Sequence, residues 1–138
     1  MKRADIYIFD ASSIYESFIS NNYGILYGNI TLNYAIFELG NIIYKHTNLL
    51  KIYDYQEAIE GMKNIIKILR KMKIYRFHTI KDYISIINFS LKFNITFYDA
   101  AYVYLAYRLK KPLITEDVKL REKVKDLIQT FSLKDILE

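Results

Sequence analysis

The chain alternates short apolar runs with longer segments of helical period, and little in it would break that rhythm. With one Pro and four Gly in 138 residues, it has few breaks and no flexible linker. "ADIYIF" (Ala4 to Phe9) reads as a buried strand. "ASSIYESFIS" follows as a short helix, with Ser12 or Ser13 as its cap and Glu16 at capping-box spacing. A turn at Asn21–Gly24 leads to a short strand at Ile30–Leu32. Helical periods then run over Tyr34–Lys45 and Tyr55–Met72. In the first, Ala35, Ile36, Leu39, Ile42 and Ile43 share a stripe; in the second, Ile59, Met62, Ile65, Ile66, Leu69 and Met72 face inward. "IYRFH" fits a strand or a linker. Helices are predicted over Ile80–Phe93 and Asp99–Leu109, a strand at "PLIT", an amphipathic helix over "EDVKLREKVKDLI" and a last strand at "QTFS". Strands alternating with helices imply an α/β fold with a parallel sheet covered on both faces. The length suits one domain spanning residues 1–138.

Composition narrows the function classes. Hydrophobic residues make up 52% of the chain, so it can build a real core. No apolar run reaches the roughly 18 residues needed to span a membrane. The first apolar stretch is short and ends at Asp10, which makes a poor signal peptide. The absence of cysteine excludes disulfides and thiolate metal sites. These features point to a cytoplasmic protein without membrane partners. A net charge of +5 permits a polyanionic partner without requiring one.

Three Asp residues stand where an apolar run meets a helix. Asp10 ends "IYIFD", Asp99 opens "DAAYVYLAYRL" after "ITFY", and Asp117 lies just past "PLIT". In a parallel α/β sheet the carboxyl edge is where ligands bind, and Asp10 and Asp117 fall on that edge. Taken singly, each Asp is equally what a helix N-terminus prefers. Glu38 differs: it lies inside a helix beside the apolar stripe, with Asn41 and Lys45 further along the same side. If the four acids converge, their mutual repulsion needs a divalent cation to relieve it. A donor set of oxygens alone selects Mg²⁺ or Mn²⁺.

The segments "IYIFDASSIYES", "ELGNIIYK" and "YDAAYVYLAYRLKKPLITEDVKL" resemble the successive motifs of PIN-domain ribonucleases, and within them the small VapC toxins of VapBC toxin–antitoxin systems. The resemblance covers nearly the whole chain. It implies a three-layer α/β/α sandwich with a central parallel sheet. It also implies metal-dependent endonucleolytic hydrolysis of RNA, with Mg²⁺ or Mn²⁺ as cofactor. Asp10, Glu38, Asp99 and Asp117 match the family's catalytic, metal-holding acids; Ser12 and Thr115 match polar positions that support them. A cognate antitoxin and a homodimer are further implications. A PIN nuclease that processes RNA without an antitoxin, and a non-catalytic PIN-like binding module, are the alternatives.

The basic row Lys63, Lys67, Arg70 and Lys71 could track an RNA backbone, or form a solvated helix face. His46 and His78 read as helix-end or loop residues. Tyr98 and Tyr102, which flank Asp99, are the candidates for stacking on a base.

Overall fold

The alternation resolves into five parallel strands and seven α-helices in a computed structural model that describes residues 6–137. The strands are β1 (Ile8–Phe9), β2 (Ile30–Leu32), β3 (Lys73–Tyr75), β4 (Leu113–Ile114) and β5 (Thr130–Phe131), in the order β3-β2-β1-β4-β5. The helices are α1 (Ala11–Ile19), α2 (Ala35–Tyr44), α3 (Tyr55–Leu69), α4 (Ile80–Phe93), α5 (Phe97–Leu109), α6 (Val118–Val124) and α7 (Leu133–Leu137). Ala4 and Asp5 of the expected first strand lie outside the described residues.

The strands read as unbroken apolar pairs because both faces of the sheet are covered. Successive side chains point to opposite faces. Ile8 and Leu113 therefore enter one core with α4, α5 and α6, while Phe9 and Ile114 enter the other with α1, α2, α3 and α7. The α/β/α layering is thus written into two dipeptides. Helix α5 is the most enclosed element. Every residue from Ala100 to Ala106 is buried, which explains its lack of a polar face.

Helix direction follows from loop length. A helix joined to the next strand by a short loop runs antiparallel to it. Only Lys110, Lys111 and Pro112 separate α5 from β4, so the first turn of α5 lies at the carboxyl edge of the sheet. Helix α3 feeds β3 in the same way, so its C-terminal turn lies at the opposite, amino edge.

Several local expectations need correction. The cap of α1 is Asp10, whose side chain accepts from the Ser13 N–H; Ser12 and Ser13 lie inside the first turn. A carboxylate at the strand end reaches those N–H groups before either hydroxyl can. Helix α5 begins two residues earlier than expected, because Thr96 caps it and Asp99 falls within its first turn. On α3, Ile59 and Ile66 are exposed and Ile68 is buried instead. Each of the exposed pair lies one position past the seam of Ala58, Met62, Ile65 and Leu69, about 100° around the helix. Helix α7 was not anticipated; the carboxylate of Glu116 accepts its Leu133 N–H at 2.8 Å.

Helices α4 and α5 are tied by one buried acid. Asp82 accepts hydrogen bonds from Thr79 Oγ1 (2.8 Å), Tyr104 Oη (2.8 Å) and Arg108 Nη1 (3.0 Å). Asp82→Ala leaves the buried Tyr104 hydroxyl without this acceptor. It is expected to lower the unfolding free energy by about 1–3 kcal/mol, read as a lower urea midpoint at unchanged slope. Lys63→Ala, on the exposed face of α3, is expected to stay within about 0.5 kcal/mol.

Candidate active site

The chain leaves β1 toward β2 and β3 on one side and returns to β4 on the other. The switch point is the crevice at the carboxyl ends of β1 and β4. Phe9 is paired with Ile114, and the Asp10 N–H continues the ladder to the Ile114 carbonyl at 3.2 Å. Asp10 and Thr115 therefore emerge side by side. Asp117 follows two residues later as the cap of α6, accepting from the Leu120 N–H at 3.1 Å. Glu38 reaches the crevice from the first turn of α2, and Asp99 from the first turn of α5. All four acids line one cavity of about 600 Å³, together with Ser12, Tyr34 and Lys45.

Three of the acids are held in place by hydrogen bonds. At Asp10, donations from Ser12 Oγ (2.7 Å) and the Ser13 N–H (3.0 Å) converge on Oδ1, while Ser13 Oγ lies 3.1 Å from that oxygen and has the Ile114 carbonyl as its nearest acceptor at 2.7 Å. Glu38 Oε1 accepts from the Tyr102 hydroxyl at 3.0 Å, and Asp117 uses Oδ1 for its cap. Among the described residues, nothing donates to the second oxygen of Glu38 or Asp117, while Asp10 takes a further hydrogen bond from Thr115. In Glu38 and Asp117 one oxygen sets the rotamer; the other is left for whatever occupies the cavity. Ser12 Oγ also lies 3.3 Å from Thr115 Oγ1 and accepts from the Glu116 N–H at 3.0 Å. Thr115 Oγ1 accepts from the Asp117 N–H at 3.2 Å. This polar bridge ties the two strand ends together.

The electrostatics show that the acids sense one another. Burial raises the Asp10 carboxyl above its ordinary range, against hydrogen bonds from Thr115, Ser12 and Ser13. Burial pushes Glu38 up to about 7; Tyr102 opposes the shift, and Asp10 and Asp99 add to it. Asp99 is raised to about 6 by burial and by the charges of Asp10 and Asp117. A cavity in which carboxylates resist ionisation is one that favours a cation. Oxygen-only donors fit a hard divalent ion. Among the described residues no group of three or more His, Asp or Glu forms a ready-made cage. That is compatible with Mg²⁺, which keeps several waters and is often bound through one or two carboxylates.

Some expected residues lie elsewhere. Lys63, Lys67, Arg70 and Lys71 are exposed on and just after α3 and line no part of this cavity; Lys67 and Lys71 border a separate cleft with Tyr23 and Tyr27. Lys45, one residue beyond α2 on the Glu38 side, lines the cavity with the acids, and the charge of Lys123 acts on Asp99. The place of Lys45 on that side was visible in the helical spacing of Glu38, Asn41 and Lys45. Tyr102 is not a stacking surface, since it is 1% exposed and bonded to Glu38. Tyr98 remains open on the cavity wall. His46 lies away from the acids, with Nδ1 2.9 Å from the Tyr15 hydroxyl. A further cleft, of about 520 Å³ beside Lys110 and Lys111, contains no carboxylate.

Comparison with known proteins decides the family. The chain is 30% identical over 99 residues to Ribonuclease VapC3 of Pyrobaculum aerophilum, spanning 71% of this chain and 72% of that protein. The chain belongs to the VapC family. It is also 27% identical over 129 residues to Exonuclease VapC9 of the same organism, spanning 92% of each. No family model matches the chain. Solved structures share the architecture. The crystal structure of PAE2754 from Pyrobaculum aerophilum superposes with a TM-score of 0.80 at 22% identity, covering 96% of this chain and 93% of that one. VapBC-1 from nontypeable Haemophilus influenzae gives 0.60 at 16% identity, over 92% and 97%. VapBC2 from Rickettsia felis, bound to a DNA fragment from its promoter, gives 0.62 at 14% identity, over 92% and 98%. Among the described residues no helix is long and apolar enough to cross a membrane.

The raised carboxyls make a stability prediction for this VapC-family chain. The folded state binds protons more tightly than the unfolded chain, in which Asp and Glu titrate near 4. The resulting penalty is complete above about pH 7, where Glu38 is ionised, and disappears as pH falls toward 4. In excess chelator, thermal stability is therefore expected to rise between pH 8 and pH 5. Asp10→Asn is expected to raise the melting temperature at pH 8 by a few degrees. A flat or opposite pH slope in calorimetry would contradict this account.

Proposed function

We propose that the chain is a metal-dependent nuclease that hydrolyses RNA phosphodiester bonds, and that it acts as the toxin of a toxin–antitoxin pair. The observation that carries this reading is the convergence of Asp10, Glu38, Asp99 and Asp117 on one cavity at the switch point of the sheet, with raised carboxyls. The relatives named Ribonuclease VapC3 and Exonuclease VapC9 support the nuclease class. The VapBC neighbours support a small protein partner.

In this reading Asp10, Asp99 and Asp117 face Mg²⁺ or Mn²⁺, one or two of them directly and the rest through its waters, and Glu38 completes the pocket. Bound there, the ion would lower the pKa of a water and offset charge on the phosphate. Ser12, Ser13 and the Thr115 bridge fix the direction of the Asp10 carboxylate. Tyr102 does the same for Glu38 through Oε1. Lys45 meets the phosphate backbone at the end of the α2 wall. Apolar side chains left open on and after α2 and α3, including Phe37 (79% exposed), Leu50 (60%) and Tyr55 (77%), provide surface for an antitoxin segment or a second copy of the chain.

The name of VapC9 favours a second reading of the cut, from a chain end inward. A circular RNA separates the two: an endonuclease linearises it and an exonuclease does not. Chelation is expected to stop cleavage, and Mn²⁺ to restore it. Asp10→Asn and Asp99→Asn are expected to reduce cleavage by more than about 10²-fold without loss of circular-dichroism signal. Ser12→Ala, which removes a donor to Asp10 and the bridge to Thr115, is expected to cost roughly 10- to 100-fold. Cleavage that survives excess chelator, or both Asn variants, would overturn the reading.

A further inference from the structure

Two of the four acids carry an exposed aromatic immediately before them: Phe37 precedes Glu38 and Tyr98 precedes Asp99. Both aromatics line the same cavity, from different helices. Phe37 is 79% exposed and Tyr98 is 57% exposed. Open apolar surface beside a group of carboxylates gives no benefit to the acids themselves.

Tyr98 is held from beneath. Its ring lies 5.3 Å from that of Tyr34, at 67°, and the Tyr34 hydroxyl donates to the Tyr98 carbonyl at 2.7 Å. Tyr34 in turn lies 5.6 Å from Tyr102, at 70°. Tyr102 is fully enclosed and bonded to Glu38. The rings thus form a ladder that starts in the core, passes behind the acids and ends at an open face on the rim. A surface aromatic braced in this way loses little conformational freedom when a flat group lands on it.

We propose that Tyr98 is the stacking platform for an unpaired nucleobase next to the bond to be cut, with Phe37 contributing the facing wall. The inference rests on the nuclease reading above and deepens it. Bases in a duplex are already stacked on one another, whereas unpaired bases can splay onto aromatic side chains. Stacking tolerates every base because each has a π-face. The platform therefore selects strandedness and positions the backbone; it does not read sequence. With Lys45 along the α2 wall, the cavity offers a phosphate contact, an acidic centre and a base platform in one groove.

The test uses Asp10→Asn as a cleavage-dead background with Mn²⁺ present. Single-stranded RNA oligonucleotides carry 2-aminopurine at each position in turn. One position is expected to show strong fluorescence quenching on binding. Adding Tyr98→Ala should abolish the quench and weaken binding by about 10-fold or more, within the range known for base–aromatic stacking. Tyr98→Phe should retain both. In the cleavage-competent chain, Tyr98→Ala should raise KM for single-stranded RNA by a similar factor while changing kcat less. A duplex of the same sequence should be a poor substrate and insensitive to the substitution. Because Tyr98 is more than half exposed, a thermal melt should show the Ala variant folded. If the unaltered chain cuts single-stranded RNA and Tyr98→Ala leaves quench and KM unchanged, the platform is overturned and the nuclease reading stands. If the unaltered chain cuts no RNA, the nuclease reading fails. The platform then falls with it unless the quench and its loss in Tyr98→Ala are still observed.

Discussion

The parallel pairing of β1 with β4 is the contact on which the rest depends. Two residues of each strand meet, Ile8 with Leu113 and Phe9 with Ile114. Because side chains alternate, that short register sends one pair into each core layer and aligns the strand ends. A slip of one residue would exchange the two cores and carry Asp10 away from Thr115. Few hydrogen bonds hold this register by themselves. The apolar layers on both faces enforce it, and the Ser12–Thr115 bridge secures it at the edge where the chemistry gathers.

In the nuclease reading, one residue at this edge serves structure and chemistry together. Asp10 caps α1 through Oδ1 and lines the cavity. Asp117 caps α6 in the same manner. Capping and catalysis are often treated as competing explanations for an Asp at a helix start. Here the cap fixes the carboxylate's direction, which is what a pre-arranged site needs. The cost appears as mutual repulsion and poor hydration among the acids, a local instability of the kind that functional sites accumulate.

Much of this was legible in the sequence, for identifiable reasons. The dipeptides Ile8–Phe9 and Leu113–Ile114, each followed by a polar residue, marked buried parallel strands. Asp10 and Asp117 could be placed on the carboxyl edge because strand ends set it; Asp99 stood out at a helix start, and the resemblance to PIN-domain ribonucleases joined Glu38 to the set. Other features were hidden by competition between similar groups. Ser12 and Ser13 looked like caps until Asp10 outcompeted them. Thr96 took the cap that Asp99 was expected to supply. Ile59 and Ile66 matched a helical period but fell just off its seam. Tyr98 and Tyr102 were indistinguishable in the sequence as neighbours of Asp99. The depth of α5 in the fold, which no local pattern records, separates an open ring from an enclosed one. The basic row on α3 was real as a row, but α3 ends at the amino edge, away from the acids.

The pairing of strands distant in sequence has a consequence for the protein's birth. The bridge between Ser12 and Thr115 joins residues 103 positions apart. A ribosome releases the first acid long before the segment that must lie beside it. Such long-range closure is slow and comes late in folding. A nascent or broken chain that lacks β4 therefore has the early carboxylates but no crevice to gather them. Whatever this cavity does to a nucleic acid, it is withheld while the chain is still being made.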